Sequence, residues 1–184
     1  RLSWSIAAFS ILLAIGGLVI SILAQYAAGT GVIFSHQFFT PLLTITYCGV
    51  GALVASRHPR NPIGWMFCAT GFLSAVNMIS AGYALYASVA APAESLPGAA
   101  VARWLTIWIW LPNVLLPITF LLLLFPDGKL ISPRWRPIAL AAGVGIVVIT
   151  LSVALHPGPL ESIGMKESNP LGLWGGEEIT NAVI

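Results

Sequence analysis

Five uninterrupted apolar runs, residues 4–27, 39–56, 63–91, 104–125 and 138–155, limit what this chain can fold into. A helix rising 1.5 Å per residue crosses a hydrocarbon core with about 20 apolar residues. Each run is long enough, and none contains Asp, Glu, Lys or Arg. The predicted fold is therefore all-α, a polytopic transmembrane helix bundle with five complete spans. The closing stretch "EEITNAVI" turns from polar to apolar and reads as the start of a sixth. With no initiator Met, residues 1–184 are expected to be a fragment forming one transmembrane domain. A cleaved signal peptide is the alternative for the first run. Its apolar length, however, exceeds the usual core of about 7–15 residues.

Composition agrees with this reading. The chain is 58% hydrophobic and 8% charged, whereas a soluble domain carries about 25% charged residues. So few charges cannot cover a water-facing surface. A net charge of +2 without a basic face interleaved with aromatics also excludes a nucleic-acid surface.

The basic residues set an orientation instead. With Arg1 cytoplasmic, alternating spans place Arg57, Arg60, Lys129, Arg134 and Arg136 inside, leaving only Arg103 and Lys166 outside. Trp4, Trp65 and Trp135 then lie near the inner boundary and Trp104 near the outer one, levels that amphipathic indoles favour. The expected location is a bacterial cytoplasmic membrane, with the N-terminus inside and the lipid bilayer as the immediate partner.

Two short turns face the predicted inner side. In "ASRHPRNPIGWMF" (residues 55–67) the arginines hold orientation, Asn61 suits a helix N-cap and Pro62 the first helical position. In "LFPDGKLISPRWRP" (residues 124–137) Asp127 and Gly128 form a turn signal, followed by Lys129, Arg134, Trp135 and Arg136. This second turn suits contacts with anionic headgroups. A sharper expectation is an ion pair from Asp127 to Arg57 or Arg60, latching one turn to the other.

Within the spans, Gly17 with Ser21, Gly51 with Ala55 and Gly71 with Ala75 stand one helical turn apart and permit close backbone approach. The fourth run, "WLTIWIWLPNVLLPITFLLLLF", holds Pro112 and Pro117, each of which removes a backbone donor. A kink is expected there. Asn77, Trp104, Trp108, Pro112, Asn113 and Pro117 form a candidate hinge or pocket.

Catalytic signals are missing from the sequence. The spans hold no ionisable acid or base of the kind that marks proton relays and ion pathways. The phosphate-cradling glycine loop and the nucleophile elbow are both missing. His36, His156 and Glu161 lack a metal-ligand spacing, so no metal site is assigned. Cys48 and Cys68 fall at similar depths on neighbouring spans and are expected to pack as small apolar groups.

Taken in order, "ASRHPRNPIGW", "SLPGA", "LLLLFPDGKLISPRWRP", "PGPL" and "NPLG" resemble the amino-terminal multi-spanning region of bacterial two-component sensor histidine kinases. The resemblance covers residues from about 50 to 173. Arg57, Arg60, Asn61, Pro62, Gly64 and Trp65 match the first inner motif. Phe125, Pro126, Asp127, Gly128, Arg134, Trp135 and Arg136 match the second. In such proteins a dimerising helix with a phosphoacceptor histidine and an ATP-binding module follow the membrane region. The resemblance thus implies a homodimer, ATP and Mg at a downstream module, and a response regulator as partner. Any kinase activity lies outside residues 1–184, which contain no catalytic residue and no cofactor site.

The leading expectation is a membrane-embedded input domain passing a membrane or ligand signal to a cytoplasmic kinase. The alternative is a stand-alone transporter or channel-like protein using a cavity beside the broken fourth span. A lipid-modifying enzyme ranks last, because His, Asp, Glu and Cys are scattered.

Overall fold

The computed structural model describes residues 1–29, 39–90, 96–156 and 169. They form helices α1 (Leu2–Ala27), α2 (Phe39–Arg57), α3 (Pro62–Ala90), α4 (Ala99–Trp108), α5 (Trp110–Leu124) and α6 (Arg136–Ala154), with a 3-10 turn at Pro133–Trp135 before α6. No strand occurs among the described residues. Five segments are long and apolar enough to cross a membrane: α1, α2, α3, α4 continued by α5, and the 3-10 turn continued by α6. The residues read as the start of a sixth span lie outside the described ones.

Many large apolar side chains face outward while most buried residues are small, which with five helices apolar enough to cross a membrane supports a membrane protein. The interior is small or weakly polar: Ala7, Ala14, Ala24, Cys48, Ala52, Ala75, Ser10, Thr44 and Thr70 are buried, while Phe9, Leu12, Leu42, Leu122, Leu140 and Val147 face outward. Lipid tails solvate Leu as well as another helix does, so association comes from close packing rather than apolar burial. Two of the three hydroxyls are satisfied locally. Ser10 Oγ donates to Ile6 O at 2.8 Å and Thr44 Oγ1 to Thr40 O at 2.9 Å, each within its own helix.

Helix α1 shows the packing rule most clearly. Of its buried residues all but Gln25, namely Ser3, Ala7, Ser10, Ala14, Gly17, Ser21 and Ala24, alternate spacings of four and three. That stripe is a coiled-coil seam written in small residues. At Gly17 an added Cβ would lie 2.6 Å from the Met78 carbonyl carbon and 2.7 Å from Ile79 N, so the α1 and α3 backbones touch. At Gly82 it would lie 2.5 Å from Gly17 O.

The α2–α3 seam uses the two cysteines reciprocally. Cys48 fills the notch of Gly71, and Cys68 the notch of Gly51, where a Cβ would stand 2.9 Å from Cys68 Sγ. Both thiols are free and buried. Gly17, Ser21, Gly51, Ala55, Gly71 and Ala75, picked out by spacing alone, are all buried at these seams.

Helix α3 is the hub, packed against α1, α2, α4 and α5. Half of its most apolar window is buried (50%), against 11% for the fifth span, which among the described residues packs mainly on α4 and α5. The fourth span begins at Ala99, five residues before the apolar run, with Gly98 in the left-handed region (φ 80°) starting it. Arg103 ended the apolar run, but it did not end the helix. A charge marks the edge of hydrocarbon, whereas backbone hydrogen bonding continues past it.

Candidate functional site

The Arg-rich end of the bundle is built from the two short turns. In the first, His58 N–H donates to Val54 O at 2.8 Å and Asn61 N–H to His58 O at 2.9 Å, closing a tight connection from α2 to α3. Asn61 Oδ1 then accepts from Ile63 N–H at 3.0 Å, and Pro62 opens α3, the predicted N-cap arrangement. Trp65 donates its indole N–H to Pro59 O at 2.8 Å, fastening the turn to the first coil of α3. Gly64 lets that coil approach α2: a Cβ there would stand 2.6 Å from Ala55 N. Arg57, His58 and Arg60 are exposed around this framework.

The second turn lies directly on the first. Gly128 has φ 71°, and its N–H donates to Leu124 O at 2.7 Å, ending α5. A Cβ at Gly128 would collide with Asn61 Oδ1 and stand 2.8 Å from Pro62 Cδ. Only glycine supplies both the left-handed backbone and the missing volume. The two turns therefore meet through backbone against side chain. The sharper latch is not formed, since among the described residues no ion pair joins Asp127 to Arg57 or Arg60. Asp127, Lys129, Arg134, Trp135 and Arg136 are exposed, the last three on the 3-10 turn and the first position of α6.

Deeper in the bundle, the fourth span breaks where its sequence predicts. Pro112 has no N–H for the Trp108 carbonyl, and regular helix lapses at Ile109 between α4 and α5. Ile109 keeps helical dihedrals (φ −64°, ψ −24°) and donates to Leu105 O at 3.1 Å, so the break is a local loosening. The Trp110 indole donates to Ile107 O at 2.8 Å, supplying one carbonyl in the loosened turn. Pro117 sits buried inside α5 with no interruption.

Helix α3 meets the fourth span at Ser74, which stands four residues after Thr70 and three before Asn77. Asn113 Nδ2 donates to Ser74 Oγ at 2.8 Å, a cross-span bond within the apolar region. Thr70 Oγ1, Asn77 Oδ1, Asn113 Oδ1 and the Trp108 indole N–H are buried without a partner. Trp104 and Trp108 pack at 5.3 Å between ring centroids. Trp104 donates to Ala154 O at 2.7 Å, and Asn169 Nδ2 to the same oxygen at 2.9 Å, closing the end of α6.

Sequence reasoning found Asn77 and Asn113 but missed Ser74. The signal was the Thr70, Ser74, Asn77 stripe, legible at helical spacing. Of the scattered histidine site, His36 and Glu161 lie outside the described residues. Comparison with known proteins finds no matching family model, no matching curated protein and no matching solved structure.

Proposed function

We propose that this chain is the membrane-embedded input domain of a sensor histidine kinase, set in a bacterial cytoplasmic membrane with its N-terminus inside. The observation that carries the reading is the seating of Gly128 on Asn61 and Pro62. It joins the end of α5 to the start of α3 at the Arg-rich end, so a displacement of the broken fourth span is felt at both turns. The resemblance of these same turns to sensor kinase motifs supplies the parent system.

A stimulus acts by stabilising two helix arrangements unequally. The loosened Trp108–Trp110 turn and the single Asn113 to Ser74 bond are where α5 moves most cheaply against α3, because an interhelical bond in a membrane contributes only about 0.6 kcal/mol. With no Asp, Glu, Lys or Arg inside any of the five apolar runs, membrane state or an apolar molecule suits the input better than a charged solute. Output passes to a homodimeric module downstream, which binds ATP and Mg and phosphorylates a response regulator. No residue of this chain is assigned to ATP or Mg.

The test is phosphate incorporation from labelled ATP by the full-length protein in vesicles of varied lipid composition. Acid-labile labelling that changes with composition in the native protein, and no longer changes in Asn113→Leu, is the expected result. Absence of labelling, together with solute flux in sealed vesicles, replaces this reading with transport. The unpaired Asn77 and Asn113 oxygens favour that second reading.

A further inference from the structure

The last span is the least buried of the five, and a groove of about 680 Å³ runs between α5 and α6. From the Arg-rich end it is lined by Phe120 and Leu140, then Gly143 and Leu116, then Val147 and Pro112. Among the described residues Thr150 is the one polar side chain on its wall, far from that end. We infer that this groove is a binding site for an anionic phospholipid, with one acyl chain between α5 and α6 and its phosphate at Lys129, Arg134 and Arg136.

Length, register and charge each support this occupant. The α6 lining runs from Ala139 to Leu151, about 18 Å at 1.5 Å per residue. Half of a hydrocarbon core is about 15 Å, so the slot matches one leaflet and one chain. Arg136 begins α6, and Leu140, Gly143 and Val147 follow it at four, seven and eleven residues, which places its side chain on the groove face. Arg134 stands on the 3-10 turn immediately before it, with the half-exposed Trp135 between them at a level where indoles settle.

Residues 127–136 carry three cations against Asp127 alone. Among the described residues none of the three has an ion-pair partner. Basic residues beside an inter-helix slot at the headgroup level are the recognised chemistry of acidic lipid headgroups. Gly143 makes the room: a Cβ there would stand 3.6 Å from Phe120 Cζ, whereas a longer side chain fills the slot. The site requires only that the chain lie in a bilayer, and it stands or falls apart from the kinase reading.

Native mass spectrometry of the purified full chain, titrated with phosphatidylglycerol or phosphatidylcholine, tests the site. The expected result is one retained phosphatidylglycerol with a preference of about tenfold or more over phosphatidylcholine, the scale set by two or three interfacial cations. The double variant Arg134→Gln/Arg136→Gln abolishes the preference. Gly143→Leu abolishes retention of either lipid, with helix content by circular dichroism unchanged. Equal binding of the two lipids, retention by Gly143→Leu, or a native dimer that Gly143→Leu converts to monomer without altering lipid retention each overturns the proposal. In the last case the groove takes a second copy of this chain.

Discussion

At the scale of single residues, the glycines divide into two kinds that look alike in sequence. Gly17 has backbone atoms of Met78 and Ile79 within 2.7 Å of where its Cβ would stand, while nothing lies within 4 Å of the same position at Gly145. Gly17→Val therefore forces α1 away from α3 and is expected to cost about 1–3 kcal/mol, the range for overpacking a tight interface. Gly145→Ala faces open space inside α6 and is expected to cost nothing and to stabilise by up to about 1 kcal/mol, because alanine is the better helix former. Reversible unfolding of the two variants in mixed detergent checks the contrast, and equal effects would mean that α1 and α3 do not touch. A second prediction concerns Asn61, whose Oδ1 accepts the Ile63 N–H. Asn61→Ala is expected to lose about 1 kcal/mol and Asn61→Asp to retain most of it, since either side chain supplies the capping oxygen. The same unfolding assay separates the cap from the mere presence of an amide.

At the scale of elements, the fourth span shows how much a proline decides. Removing the donor at residue 112 loosens the turn at Ile109, yet Pro117 leaves α5 unbroken. Pro112→Ala restores an N–H for Trp108 O and is expected to slow amide exchange at residues 108–111 by roughly tenfold, equivalent to one recovered hydrogen bond of about 1.4 kcal/mol. Unchanged exchange would assign the break to the packing of Trp108 rather than to the proline. Spans of this kind are legible because a bilayer imposes one length and one solvent. The apolar runs located all five, and the turn residues Asn61 and Pro62 fixed the start of α3. The exception was the start of the fourth span, where Arg103 ended the apolar pattern but α4 had already begun at Ala99. Hydropathy locates the hydrocarbon, and the helix overruns it.

At the scale of the whole molecule, which helix touches which was not legible. The hub role of α3 rests on contacts between separate spans, and the Ser74 to Asn113 bond and the contact of Gly128 with Asn61 join residues 39 and 67 apart in sequence. Small residues announce that a close approach exists without naming the partner. The turns illustrate the consequence: charge suggested Asp127 with an arginine, but the structure joins them through a glycine, because exposed ion pairs contribute little whereas excluded volume admits no compromise. A double-mutant cycle tests this assembly. Gly128→Ala alone introduces strain at φ 71° and a collision with Asn61 Oδ1. In an Asn61→Gly background the strain and the 2.8 Å approach to Pro62 Cδ persist but the collision with the Asn61 side chain is gone, so Gly128→Ala costs less there. The expected coupling is at least 0.5 kcal/mol, about the threshold that separates touching residues from independent ones. Additivity within about 0.3 kcal/mol would place the turns out of contact, and with it would fall the route by which a displaced α5 reaches α3.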